Sequence, residues 1–174
     1  MRNRLRKGFT LIELLVVIAI IGLLSTLAVV AMSNARQKAR DAKRVSDIKQ
    51  MQSALDLYAT DKNGYPRDES DGVGGITLGG PTAKCISDAT GFGGVGECTG
   101  NTYMANVPSN TTPGGTPYLY RSVDAAGADC NSSPCVGYSL VFWLEADTGE
   151  LKDGTDTPSV IPECNATPGG ITCT

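Results

Sequence analysis

Histidine is absent from all 174 residues. That absence removes the Ser-His-Asp and Cys-His nucleophile systems and every histidine-containing zinc site. Proline is missing from the first 65 positions, and only three of the 21 glycines precede residue 72. The N-terminal third thus has almost none of the residues that break a helix. Basic residues are scarce at the other end, where Lys84, Arg121 and Lys152 face ten acids beyond residue 71. The formal net charge is -3, which argues against a basic nucleic-acid binder of the usual kind.

Residues 1–8 carry four positive charges (Arg2, Arg4, Arg6, Lys7) and no acid. The chain is 41% hydrophobic overall, yet 19 of the 24 residues from Phe9 to Met32 are hydrophobic. As a helix, such a run spans roughly 36 Å, enough to cross a hydrocarbon core of about 30 Å. Basic residues before it place the N-terminus in the cytoplasm and the remainder outside. A secretory signal peptide has a shorter apolar region ending in a small-residue cleavage site. Here the run continues directly into a polar helical pattern, so a retained membrane helix is expected.

Residues 33–62 contain neither Gly nor Pro. Val45, Ile48, Met51, Leu55 and Tyr58 recur at helical spacing as one stripe. Arg36, Lys38, Arg40, Lys43, Arg44 and Lys49 lie opposite, with only Asp41 and Asp47 among them. One continuous helix from about 9 to 61 follows, closed by a left-handed cap at Asn63-Gly64 and by Tyr65-Pro66. Residues 72–117 read as a Gly-, Pro- and Thr-rich loop region with at most short strands. Tyr118–Val123 reads as a strand. Val136–Glu145 alternates, with Tyr138, Leu140, Phe142 and Leu144 on one face and Ser139, Val141, Trp143 and Glu145 on the other. A turn at 146–149 would let residues 150–152 pair back. The fold class is α+β: a long N-terminal helix packed on a small antiparallel sheet, with the helical stripe covering the sheet's apolar face.

Six cysteines (Cys85, Cys98, Cys130, Cys135, Cys164, Cys173) all lie beyond the membrane run. An even count on a non-cytoplasmic side suggests disulfides, although six cysteines allow 15 connectivities. Spacing favours neighbours: Cys85 with Cys98, Cys130 with Cys135, Cys164 with Cys173. No pair sits in a Cys-x-x-Cys frame, so a metal site is disfavoured.

Arg6-Lys7-Gly8-Phe9-Thr10-Leu11-Ile12-Glu13, followed by the apolar run, resembles the start of a type IV prepilin. The helix and its Asn63-Gly64-Tyr65-Pro66 exit are also similar to pilins and to the pseudopilins of type II secretion. The resemblance implies cleavage between Gly8 and Phe9 by a prepilin peptidase, which also N-methylates Phe9. It implies an inner-membrane precursor, an ATPase-driven assembly platform in that membrane, and a helical homo-oligomeric filament held by its apolar helices. It assigns Glu13 to the Phe9 amine of a neighbouring subunit, and a lone carboxylate in a bilayer, costing roughly 2.5–3.5 kcal/mol, needs such a partner. Snorkelling of Glu13 to the headgroups is the simpler alternative. Many pilins carry a proline inside the apolar helix; here Gly22 and Ser25-Thr26 are the nearest weak points.

The segments then read as a leader (1–8), a filament-core helix (9–32), an amphipathic helix of the head (33–62) and a loop-rich head (63–174). The basic cluster from Arg36 to Lys49 suits a solvated face or lipid headgroups better than DNA. The acids Asp147, Glu150, Asp153 and Asp156 lack an EF-hand frame and suit a solvated turn better than calcium. Asn-x-Ser/Thr sequons fall at Asn110, Asn131 and Asn165. No catalytic motif, cofactor or metal is expected. The expected function is a major subunit of an extracellular type IV pilus. The alternatives are a major pseudopilin of type II secretion or a monomeric membrane-anchored surface-binding domain.

Overall fold

The computed structural model describes residues 8–68, 75–110, 116–130, 134–145 and 163–173. Helix α1 runs from Leu11 to Lys62 as 52 unbroken residues, within a residue or two of the expected span. The chain divides into two compact units between Gln37 and Lys38.

In the first unit α1 is apolar all round, and its large side chains are uncovered by this chain; Phe9 is 82% exposed and Leu11 81%. It is long and apolar enough to cross a membrane. Two hydroxyls within the apolar run close on the helix itself. The Ser25 hydroxyl donates to the Ile21 carbonyl at 2.7 Å, and the Thr26 hydroxyl to Leu23 at 2.8 Å. Such closure would suit hydrocarbon, where no water is available to satisfy a free donor. The helix passes through Gly22 without a break.

In the second unit the rest of α1 packs its stripe under a sheet. Ile48, Met51 and Leu55 are fully buried, and Val45 and Tyr58 flank them half-buried. The exit works as its residues predict. Asn63 adopts φ of 57°, a left-handed conformation that Asn tolerates. Gly64 then passes so close to Pro134 and the Cys135 carbonyl that an added Cβ would sit 2.5 Å and 2.8 Å from them. Tyr65 N donates to that carbonyl at 2.9 Å, tying the exit to the strand region.

Eight strands follow: β1 (Ile76–Thr77), β2 (Cys85–Ser87), β3 (Gly91–Gly93), β4 (Thr102–Met104), β5 (Leu119–Val123), β6 (Gly137–Trp143), β7 (Glu163–Thr167) and β8 (Gly170–Cys173). They form an antiparallel five-stranded sheet in the order β1-β5-β6-β7-β8 and a small three-stranded sheet β3-β2-β4. On β6 the alternation holds: Tyr138, Leu140, Phe142 and the following Leu144 are buried, while Ser139, Val141 and Trp143 are half-exposed. Together with Tyr118, Tyr120, Leu78, Ile86 and Ala166 they complete one core over the α1 stripe.

Residues 72–117 hold four short strands, within the short-strand content expected there, and three of them form a second sheet that no sequence signal announced. The outer neighbour of β6 is β7, which forms a hairpin with β8 across the Cys164–Cys173 bond where the sequence shows no strand pattern. Its inward residues are merely Cys164 and Ala166, too small to give a strong period-2 signal. The expected turn at 146–149 and strand at 150–152 lie outside the described residues.

Leu55→Ala is expected to lower the head's stability by about 2–5 kcal/mol, since it opens a cavity under the sheet. Leu57→Ala, at a 59% exposed position, should stay within about 0.5 kcal/mol. Denaturant titration of the detergent-solubilised chain, followed by its single tryptophan Trp143, measures both.

Candidate assembly site

Two polar constellations stand on α1, one in each unit. At the N-terminus, Thr10 and Glu13 form a reciprocal cap. The Thr10 amide and hydroxyl each donate to Glu13 Oε2 at 2.9 Å, and the Glu13 amide donates to Thr10 Oγ1 at 3.2 Å. This is a capping box, in which one Ser/Thr-x-x-Glu pair satisfies donors that the first helical turn leaves free. Gly8 and Phe9 lie just before it and are exposed. Glu13 is thereby engaged by its own chain one helical turn from Phe9. Thr10 was not singled out as a site residue, although its spacing to Glu13 carried the signal. The basic residues Arg2 to Lys7 lie outside the described residues.

The second constellation sits where α1 enters the head. Asp41 is fully buried and Arg44 is 3% exposed. Arg44 Nη1 donates to Asp41 at 2.5 Å, Nη2 to Glu145 at 2.6 Å and Nε to the Asn110 side-chain carbonyl at 3.1 Å. The Glu145 amide donates to Asp41 at 2.9 Å, and Arg40 pairs with the Glu145 carboxylate from the other side. Two guanidinium groups and two carboxylates balance in charge and share their hydrogen bonds. Buried charges are tolerated only on those terms. The cluster joins α1 to the end of β6 and, through Asn110, to the segment before β5.

This corrects the reading of Arg36–Lys49 as one solvated basic face. Arg36, Lys38, Lys43 and Lys49 are exposed, but Arg44 is interior and Arg40 is committed to Glu145. Glu145, expected on the outer face of β6, instead turns to these arginines because the strand ends at Trp143. Charged residues facing each other from positions about 100 apart leave no local sequence signal.

The remaining candidates separate cleanly. Cys85 is bonded to Cys98, Cys130 to Cys135 and Cys164 to Cys173. Among the described residues no group of three or more His, Cys, Asp or Glu side chains could hold a metal. The acids Asp147, Glu150, Asp153 and Asp156 lie outside them. Of the sequons, Asn110 accepts from Arg44 and donates to the Thr116 carbonyl, and Asn165 accepts from Ser139. Asn131 is outside the described residues.

The family model of the prokaryotic N-terminal methylation motif matches residues 3–29, which include Phe9, Thr10 and Glu13. The type II secretion system core protein G of Aeromonas hydrophila is 36% identical over 122 residues, covering 70% of this chain and 77% of that protein. The chain belongs to the type II secretion core protein G family. An alignment of 122 residues is longer than the chain up to the end of α1 at Lys62, so the likeness to core protein G extends beyond the helix into the strand-bearing region. Core protein G of Pectobacterium carotovorum subsp. carotovorum is 47% identical over 64 residues, and that of Escherichia coli K12 46% over 61. Those two alignments cover only 41% and 42% of the respective core proteins G. No solved structure matches the chain.

The ion cluster makes a pH prediction. Hydrogen bonds from Arg40, reinforced by Arg44, hold the Glu145 carboxyl down from 4.5 to about 2. A carboxyl depressed on folding stabilises the fold above its unfolded value and loses that contribution as it protonates. Head stability should therefore be level from about pH 7 to pH 5 and fall between about pH 4.5 and pH 2. Glu145→Gln should flatten that fall in denaturant titrations repeated across pH. An unchanged slope would remove Glu145 from the account.

Proposed function

We propose that the chain is the major subunit of a type II secretion pseudopilus, a structural and non-catalytic role. The observation that carries this reading is the 122-residue likeness to a core protein G, which reaches past the shared N-terminal motif into the head. The long surface pilus expected first gives way to the secretion alternative on that ground.

In this reading the precursor waits in the inner membrane with its N-terminus in the cytoplasm and its head outside. Prepilin peptidase cleaves after Gly8 and methylates the Phe9 amine. An assembly platform then draws the subunit into a helical filament. The side chains from Phe9 to Met32, uncovered within their own chain, find cover in neighbouring copies; that exposed area supplies most of the association energy. The capping box bears on the membrane stage. Glu13 shares its charge with the Thr10 amide and hydroxyl, which lowers the cost of holding a carboxylate in a membrane before a neighbour's amine is available. Assembly then exchanges those bonds for a stronger ion pair with the neighbour.

Glu13→Gln keeps the shape and most hydrogen-bonding capacity of the side chain but removes its charge. It is expected to leave membrane insertion and cleavage after Gly8 intact and to abolish filaments. Cell fractionation, mass spectrometry of the mature N-terminus and negative-stain microscopy of overexpressing cells read those three steps. Filaments at wild-type abundance in the variant would contradict the role given to Glu13.

A further inference from the structure

The three disulfides share one property: each joins two cysteines that follow one another in the chain. Of the 15 pairings open to six cysteines, this one closes in order of appearance. From that order and from the burial of the bonds, we infer that the head is matured by a dithiol oxidase acting on the emerging chain, without a disulfide isomerase. The inference rests on the proposed orientation, with the head delivered across the membrane behind an anchored N-terminal helix.

Burial sets the timing. Cys85, Cys130, Cys135 and Cys164 are 6%, 4%, 1% and 0% exposed, and Cys164 belongs to the core under the sheet. A thiol must be met by an incoming disulfide sulfur to form the mixed disulfide through which exchange proceeds. These four sulfurs can be met before the core closes and are shielded afterwards, so pairing is decided in the unfolded, emerging chain. There the order of delivery puts Cys98 beside Cys85 before Cys130 is outside.

Loop lengths act in the same direction. The bonded pairs are separated by 13, 5 and 9 residues. The competing neighbours are farther apart, 32 residues from Cys98 to Cys130 and 29 from Cys135 to Cys164. Chain ends meet with a probability falling roughly as the −3/2 power of loop length. With all six thiols free, Cys98 would still meet Cys85 about four times as often as Cys130, and Cys135 would meet Cys130 about 14 times as often as Cys164.

The chemistry balances pair by pair. One thiolate attacks the oxidase disulfide, and the second cysteine displaces the oxidase from the mixed disulfide. The head gains one S–S bond, and two electrons and two protons leave with the oxidase as its dithiol. Nothing in this sequence needs a wrong bond to be reopened.

The test follows the full-length chain in bacteria lacking either the extracytoplasmic dithiol oxidase or the disulfide isomerase, with free thiols trapped by a maleimide that does not cross membranes. Newly made chain should show no labelled cysteine in wild-type and isomerase-deficient cells and up to six in oxidase-deficient cells. Disulfide mapping should give the same three pairs with and without the isomerase. Cys85→Ser supplies the converse: Cys98 loses its earlier partner, so a Cys98–Cys130 bond should appear, and its removal should depend on the isomerase. Mispaired wild-type chain in isomerase-deficient cells would overturn the inference. Six reduced thiols in wild-type cells, labelled only after membrane permeabilisation, would overturn the orientation as well. That labelling pattern distinguishes the two failures.

Discussion

The burial of Ile48, Met51 and Leu55 beneath the sheet is the contact on which the head depends. Each of these side chains contributes about 1.5–3 kcal/mol when removed from water. Among the described residues no strand of either sheet exceeds seven residues, and four of the eight have three residues or fewer. Such short ladders are marginal without a cover. The second half of α1 is that cover, and the aromatic residues Tyr65, Tyr120, Tyr138 and Phe92 knit the strands above it through ring contacts of 4.6 to 6.2 Å. The disulfides then staple the small sheet, the loop before β6 and the β7–β8 hairpin.

One helix thus serves two surroundings, and the sequence changes character to match. From Phe9 to Met32 every face is apolar, and the occasional hydroxyl is returned to the helix backbone. Beyond residue 37 only one stripe of the helix is apolar, and the charges that α1 itself buries, Asp41 and Arg44, sit together in one balanced cluster with Glu145 and Arg40. Removal of a leader with four positive charges would shift the net charge from -3 to -7 before the new amine is counted. A subunit on the proposed pathway therefore leaves the membrane markedly more acidic than it entered it.

Long elements with strong periodicity were legible in the sequence: α1, its stripe, its Asn63-Gly64 exit, β5, and the inward face of β6. Each rests on local signals a few residues apart. The neighbour-to-neighbour disulfides were legible for the same reason. What escaped was non-local or weakly patterned. The β7–β8 hairpin buries only small residues, and the three-residue strands of the second sheet, like the two-residue β1 of the first, are too short to show a period. The Arg44 cluster depends on partners about 100 residues away. At the candidate site, Gly8, Phe9 and Glu13 stood out from the motif, whereas the part played by Thr10 needed the geometry of the cap.

The family is fixed by a likeness that covers most of one core protein G, and the secretion role proposed from it can be put to a direct measurement. In the native bacterium, proteins in the culture supernatant are quantified with and without this chain, and the cell surface is imaged in parallel. Exported proteins should be retained inside the envelope when the chain is deleted, and release should return when it is restored. Undiminished release, accompanied by the loss of long surface filaments, would contradict the secretion role.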